Sequence, residues 1–207
     1  AGSRKTKPGA AHAGDYITGD SLTMSGGNQA LFFLVTTVLE LVIWVFWLRL
    51  LLQVVKADFY NPISQFVWQA SRFPTDWLQR FMPTVRGVNL AVCVGLALSA
   101  LAYVYAVASL INLPVDVVSA TLHGGLKLLT MLLGLYTFTL FVQAILSWVG
   151  PGTQNPAANV LWSLNEPLLR PVRNILPPIG GLDLSPLAVI LMLQVLSRLV
   201  PLPGVLR

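Results

Sequence analysis

Three stretches of this chain are long and apolar enough to constrain everything else about it: Leu31 to Val55, Leu90 to Leu110, and Leu126 to Val149. A helix rises about 1.5 Å per residue, so roughly 20 apolar residues cross a hydrocarbon core of about 30 Å. The first stretch is interrupted by Glu40, Arg49 and Gln53, the second carries no charge, and the third has Lys127 at its edge. A fourth, Leu184 to Val200, is shorter. Ser185 is suited to cap it, Pro186 suits its first turn, and Pro201 and Pro203 stop it. Local bilayer thinning or a buried half-span accommodates such a length. Composition agrees: 10% of the 207 residues are charged and 55% hydrophobic, where a soluble domain carries about 25% charged residues.

Four crossings put both termini and the 111 to 125 connection on one face and the two long connections on the other. The long connections carry Lys56, Arg72, Arg80, Arg86, Arg170 and Arg173, against Lys127, Arg198 and Arg207 near the opposite ends. The positive-inside rule places the long connections in the cytoplasm and both termini outside. The net charge of +5 forms no run suited to a nucleic-acid backbone. Residues 1–23 are polar and hold no core, and Met24 is the expected start of translation, which makes them a vector remnant or a disordered extension. One cysteine, Cys93, in an apolar run, supports neither a disulfide nor a thiolate cluster.

Shifting the chain by 94 positions superposes its halves without a gap. Asn61 and Pro62 fall on Asn155 and Pro156, Trp68 on Trp162, Pro83 on Pro177, and Gly87 on Gly181. Agreement of rare residue types in connections argues for duplication, giving repeats over residues 24–113 and 114–207. Each unit is helix, connection, helix. An even number of crossings makes the copies parallel, which disfavours the inverted halves of many alternating-access transporters.

The second connection is the more specific. Asn155 and Pro156 open a short helix over residues 157–164, and Pro167 and Pro171 are expected to break any longer helix into short pieces. Residues 168–176 alternate apolar side chains with Arg170 and Arg173, as in a segment lying in the membrane interface with guanidinium groups among lipid phosphates. Gly180 and Gly181 permit a turn before Asp183.

The run EPLLRPVRNILPPIGGLDLSPLAVILMLQVL, containing Glu166, Pro167, Arg170, Pro171, Arg173, Gly180, Gly181, Asp183 and Pro186, resembles the signature of the YggT (YlmG) family of small bacterial and plastid membrane proteins. The resemblance covers residues 24 to about 200, as two tandem units. The first copy keeps Asn61 and Pro62 but departs from the EPLLRP and GGIDLSP pattern in FPTDWLQRFMPTVRGVNL. The resemblance implies associations with osmotic-stress tolerance, potassium uptake, cell division and, in plastids, cytochrome assembly, a spread that suits an organising protein.

An ionisable group inside a span is costly, and Glu40 lies about nine residues into the first. Two readings are open, a proton or cation site, or a protonated carboxyl hydrogen-bonded to a neighbouring Tyr or Thr; the second is favoured. Arg49 and Gln53 share a helix face, and the repeat puts Gln143 and Ser147 at the same positions. Either the pair lines a polar path, or Arg49 snorkels to the interface while Gln143 bonds between helices, the second again favoured. Arg198 reads as another snorkelling anchor. Trp68, Trp148 and Trp162 suit an interfacial belt, and His123 alone makes a poor haem site. No nucleophile elbow, zincin, phosphate-loop or potassium-filter motif is present.

The expectation is an all-α membrane protein of four transmembrane helices in two parallel helix-connection-helix repeats with amphipathic interfacial connections. It is expected to be non-enzymatic and free of cofactors and metals, and to organise or assemble other membrane components. The alternative is an oligomeric potassium or proton channel. The expected partners are the bilayer with its anionic lipids, a membrane protein, and further copies of the chain, with no nucleic acid.

Overall fold

The computed structural model describes residues 26–85, 87–149, 156–176 and 183–207. Residues 1–23 and the motif positions Asn155, Gly180 and Gly181 lie outside the described residues. The elements in order are α1 (Gly26–Val54), α2 (Pro62–Gln79), a hairpin of β1 (Thr84–Val85) and β2 (Val88–Asn89), α3 (Leu90–Leu110), α4 (Val117–Val149), α5 (Pro156–Arg173), α6 (Ser185–Leu199) and a 3₁₀ turn over Gly204–Leu206. The architecture is that of an all-α membrane protein with repeats. Helices α1, α3 and α4 are long and apolar enough to cross a bilayer, and α6 is a shorter apolar helix of 15 residues, about 22 Å long.

The duplication is visible residue by residue. Helices α2 and α5 each have 18 residues and begin 94 positions apart. Asn89 caps α3 by accepting from the Ala91 amide at 2.9 Å, and its equivalent Asp183 accepts from the Ser185 amide at 2.9 Å. Ser185 is therefore not the cap of α6: the Asp183 carboxylate takes that work, and the Ser185 hydroxyl is buried without a partner. Pro186 does lie in the first turn of the helix, where a missing amide costs nothing.

Helix α5 corrects a second expectation. It runs unbroken through Pro167 and Pro171. The prolines are four apart, so the carbonyls they leave unbonded, those of Ser163 and Pro167, fall on one stripe, and Ser163, Pro167 and Pro171 are all exposed. Val160, Leu164 and Leu169 are buried against the bundle, and their packing holds the helix together across the defects.

Helix α4 begins well upstream of Leu126, because the Asp116 carboxylate accepts from the amides of Val118 and Ser119, both at 3.1 Å. Lys127 is consequently not at the edge of the span but inside the helix. Helix α6 stops early for the opposite reason: Pro201 stands where the first repeat has Val107, over which α3 continues. Arg207 Nη2 donates to the Ser197 carbonyl, which Pro201 leaves without an amide, and to the Val200 carbonyl, each at 3.0 Å.

In each repeat the first long helix packs on its amphipathic helix and on its second apolar helix, and α3 also packs along α4, with no comparable seam between α6 and α1. Ile43, Phe46, Val92 and Leu96 fill the first repeat; Leu51, Leu52, Leu135 and Leu164 join the repeats; Leu140, Leu169, Val189 and Leu193 fill the second. Gly95 admits the Phe46 ring so closely that a Cβ there would lie 2.5 Å from it. In the hairpin, Gly87 has φ of 86°, a conformation glycine adopts without steric cost.

Candidate functional site

Helix α2 divides into three rows. Phe66, Ala70, Phe73 and Trp77 recur at helical spacing and are exposed. Ser64, Val67, Ser71 and Thr75 form the adjoining row and are buried against α1. Gln65, Gln69, Arg72 and Asp76 form the third, with Arg72 Nε 2.8 Å from Asp76 and its guanidinium 5.3 Å from the Trp68 ring centroid. The row facing the protein is thus the small polar one, and its counterpart is Arg49. Arg49 Nη1 donates to Thr75 at 2.8 Å, to Ser71 at 2.9 Å and to the Trp68 carbonyl at 3.5 Å.

This overturns the snorkelling reading, since Arg49 is only 4% exposed. The short hydroxyl side chains of α2 leave room for the guanidinium and satisfy it in place. The second repeat builds the same clasp from neutral groups. Asn165, at the position of Ser71, donates through Nδ2 to Gln143 Oε1 at 2.7 Å and accepts from Thr139 at 2.8 Å, fully buried. Gln53 binds elsewhere, accepting from the Asn89 amide at 3.1 Å. The repeats meet where Asn61, which caps α2 through the Ile63 amide, donates to the Pro156 carbonyl at 2.7 Å. Pro62 and Pro156 each begin their helix.

Glu40 lies in a different cluster. Its Oε1 accepts from Lys127 Nζ at 2.6 Å and from the Tyr103 hydroxyl at 3.3 Å, and Lys127 also donates to the Leu206 carbonyl at 2.9 Å and sits 4.2 Å from the Tyr103 ring centroid. The expected tyrosine partner is there, but an ammonium joins it, so the site is an ion pair. Lys127 is 2% exposed and Glu40 is open on one side at 37%. The repeat gives no sign of the pairing, because Gly134 and Phe33 occupy the equivalent positions.

In the second connection, Arg173 binds Glu166 and Asp183, both at 2.8 Å, and lies 5.3 Å from the Trp162 ring centroid. Two carboxylates thus hold its Nε and Nη1, leaving the side chain 27% exposed, and Arg170 is exposed. Burial opposes ionisation of Asp183, but hydrogen bonds from the Ser185 amide and the Arg173 guanidinium outweigh it and hold the carboxyl below its ordinary range. Arg198 is exposed and, with Gly134, Thr137, Gln194 and Ser197, lines a groove between α4 and α6. His123 Nδ1 donates to the Ser119 carbonyl at 2.7 Å. Neither hydropathy nor motif singles out Lys127, Tyr103, Asn165, Ser71 or Thr75 as a site residue. The polar row of α2, and the coincidence of Asn165 with Ser71 in register, are the sequence signals that point to the clasps.

A family model described as CCB3/YggT matches the chain twice, over residues 28–110 and 122–203, so the repeats are tandem copies of one unit. The chain is 36% identical over 179 residues to an uncharacterised protein of Pseudomonas aeruginosa, covering 86% of this chain and 91% of that one. It is 37% identical over 171 residues to the uncharacterised protein YggT of Escherichia coli K12, covering 82% and 88%. A short match of 62 residues, 39% identical, links it to the chloroplastic YlmG homolog protein 2 of Arabidopsis thaliana, covering 30% of this chain and 24% of that one. No solved structure matches. With both units accounted for from the first span to the last, the chain belongs to the CCB3/YggT family.

Proposed function

We propose that this protein is a non-enzymatic organising protein of the bacterial inner membrane, whose two amphipathic helices form a platform in the cytoplasmic leaflet. The observation that carries the reading is the aromatic side of α2: Phe66, Phe73, Trp77 and the following Phe81 are 69, 92, 66 and 74% exposed. Each such ring covers roughly 150–250 Å², so their transfer at about 25 cal/mol/Å² supplies on the order of 10 kcal/mol toward holding α2 in the interface. The Arg49 clasp fixes α2 near one end of α1, and the rows of the helix then place rings toward acyl chains and Arg72 and Asp76 toward water. The excess of Lys and Arg in the long connections supports a cytoplasmic position. With the rings in lipid, the faces left for a membrane-protein partner are the row of α2 that carries Gln65, Gln69, Arg72 and Asp76 and the exposed stripe of α5 around Arg170. Osmotic-stress tolerance, cell division and membrane-complex assembly, the associations implied by the family resemblance, are settings in which such a platform would act.

The test has two arms, both on the full chain in liposomes. In a Cys93→Ser background, a fluorophore on Phe73→Cys is quenched by brominated acyl chains; quenching by aqueous iodide alone refutes the platform. The second arm measures potassium and proton flux. Flux no greater than in empty liposomes supports the organising role, while flux abolished by Glu40→Gln or Arg49→Ala replaces it with the channel reading.

A further inference from the structure

We propose that the first repeat carries a binding site for a phosphate-bearing anion, formed by Arg49, Ser64 and Lys56 where α1, α2 and the hairpin meet. A cavity of about 280 Å³ lies there, lined by these three residues together with Gln53, Trp68 and Gly87. Arg49 and Ser64 are both more than nine-tenths buried, and each leaves one polar atom without a partner: Arg49 Nε and Ser64 Oγ. Two buried donors without a partner among the described residues, in side chains that line one cavity, are a costly arrangement unless something accepts from them.

Charge defines what that acceptor is. Arg49 is bonded only to neutral oxygens, and no described carboxylate forms an ion pair with it. Lys56 likewise makes no ion pair among the described residues, and its backbone is turned into the left-handed region, φ 52°. The nearby acids are engaged: Asp76 pairs with Arg72, and Asp58 accepts from the Tyr60 amide at 2.9 Å. Two cations and a hydroxyl donor facing one cavity fit an oxyanion, and a guanidinium with a free edge fits phosphate geometry. The cavity lies along the buried and polar side of α2, through Ser64, Val67 and Trp68, and not along the ring-bearing row. With α2 lying in the interface as proposed above, that side is at the level of headgroups, which makes an anionic phospholipid the favoured source of the phosphate.

The second repeat supplies an internal comparison. Arg49 and Ser64 are replaced there by Gln143 and Ala158, and the clasp closes with Gln143, Asn165 and Thr139 bonded to one another. The site is therefore a property of the first unit. Only the choice of lipid over soluble phosphate rests on the platform reading. Loss of quenching at position 73 leaves the site standing, and loss of the site leaves the platform standing.

The experiment is native mass spectrometry of the purified full chain titrated with phosphatidylglycerol and, separately, phosphatidylcholine, with inorganic phosphate as a competitor. One phosphatidylglycerol is expected to bind in preference to phosphatidylcholine. Ser64→Ala, which leaves the Arg49 clasp intact, is expected to weaken it about ten-fold, and Lys56→Ala about three-fold. Arg49→Gln abolishes it where the variant folds. Competition by millimolar phosphate assigns the site to soluble phosphate esters, and its absence assigns it to lipid. Binding that is unchanged in both Ser64→Ala and Lys56→Ala, with no phosphate competition, overturns the proposal.

Discussion

Replacing Lys127 by Met removes an ammonium that is 2% exposed and that donates to Glu40 at 2.6 Å, to Tyr103 at 3.1 Å and to the Leu206 carbonyl at 2.9 Å. Breaking a buried ion pair from one side costs about 3–5 kcal/mol, because the remaining charge is left uncompensated. Glu40 is open at 37% and relieves part of that cost by turning outward, which places the expected loss at the lower end, about 3 kcal/mol. Unsatisfied oxygens at Tyr103 and Leu206 keep it from falling further. For a chain of this length each kcal/mol shifts the melting temperature by about 2–4 °C, so Lys127→Met should melt roughly 6–12 °C lower. Glu40→Leu with Lys127→Met removes both charges and should recover to within about 1 kcal/mol of the parent. The assay is thermal unfolding of the detergent-solubilised full chain by tryptophan fluorescence, for the two single variants and the double. If the losses of the singles simply add in the double, the two groups are not coupled and the ion pair does not hold α1 to α4.

Three further outcomes rest on the packing. Asn165→Ala, at a fully buried position, leaves Gln143 and Thr139 without their partner and should cost about 2–3 kcal/mol, whereas Ser71→Ala costs less because Arg49 keeps Thr75; denaturant titration of each compares the clasps. Gly95→Ala drives a methyl into the buried Phe46 ring and should destabilise by about 1–3 kcal/mol, while Gly134→Ala, with open space at its Cβ, should be neutral or stabilise by up to about 1 kcal/mol; the same titration reads both. The Asp183 carboxyl is held below its ordinary range, so its contribution is present above a pH of about 4, near its unfolded value, and is lost as the pH falls through the lower folded value. Asp183→Asn should flatten that acid limb in a pH series of melting temperatures, and an unchanged limb refutes the assignment.

The three long spans, the duplication and the starts of both amphipathic helices were readable along the chain, because hydropathy, residue register and proline placement act within a few residues of one another. Pro62 and Pro156 open their helices 94 positions apart as the alignment of the halves required. The continuity of α5 was not readable in this way: Pro167 and Pro171 are local helix breakers, and what overrides them is the burial of Val160, Leu164 and Leu169 by other helices. The environment of Arg49 was hidden for the same reason. Its position suits a snorkelling side chain, and only the docking of Ser71 and Thr75 from α2 gives it a reason to stay inside.

From sequence alone come the membrane class, the parallel repeat and the short list of polar residues placed where lipid would otherwise be, since transfer from water and chain duplication leave marks that need no partner to be read. Tertiary structure alone decided which of those residues meet. Glu40 and Lys127 lie 87 positions apart in different repeats and break the internal symmetry, so neither spacing nor register points from one to the other. Their pairing, like the unpaired edge of Arg49 beside Ser64, exists because packed helices set distances that no local pattern encodes.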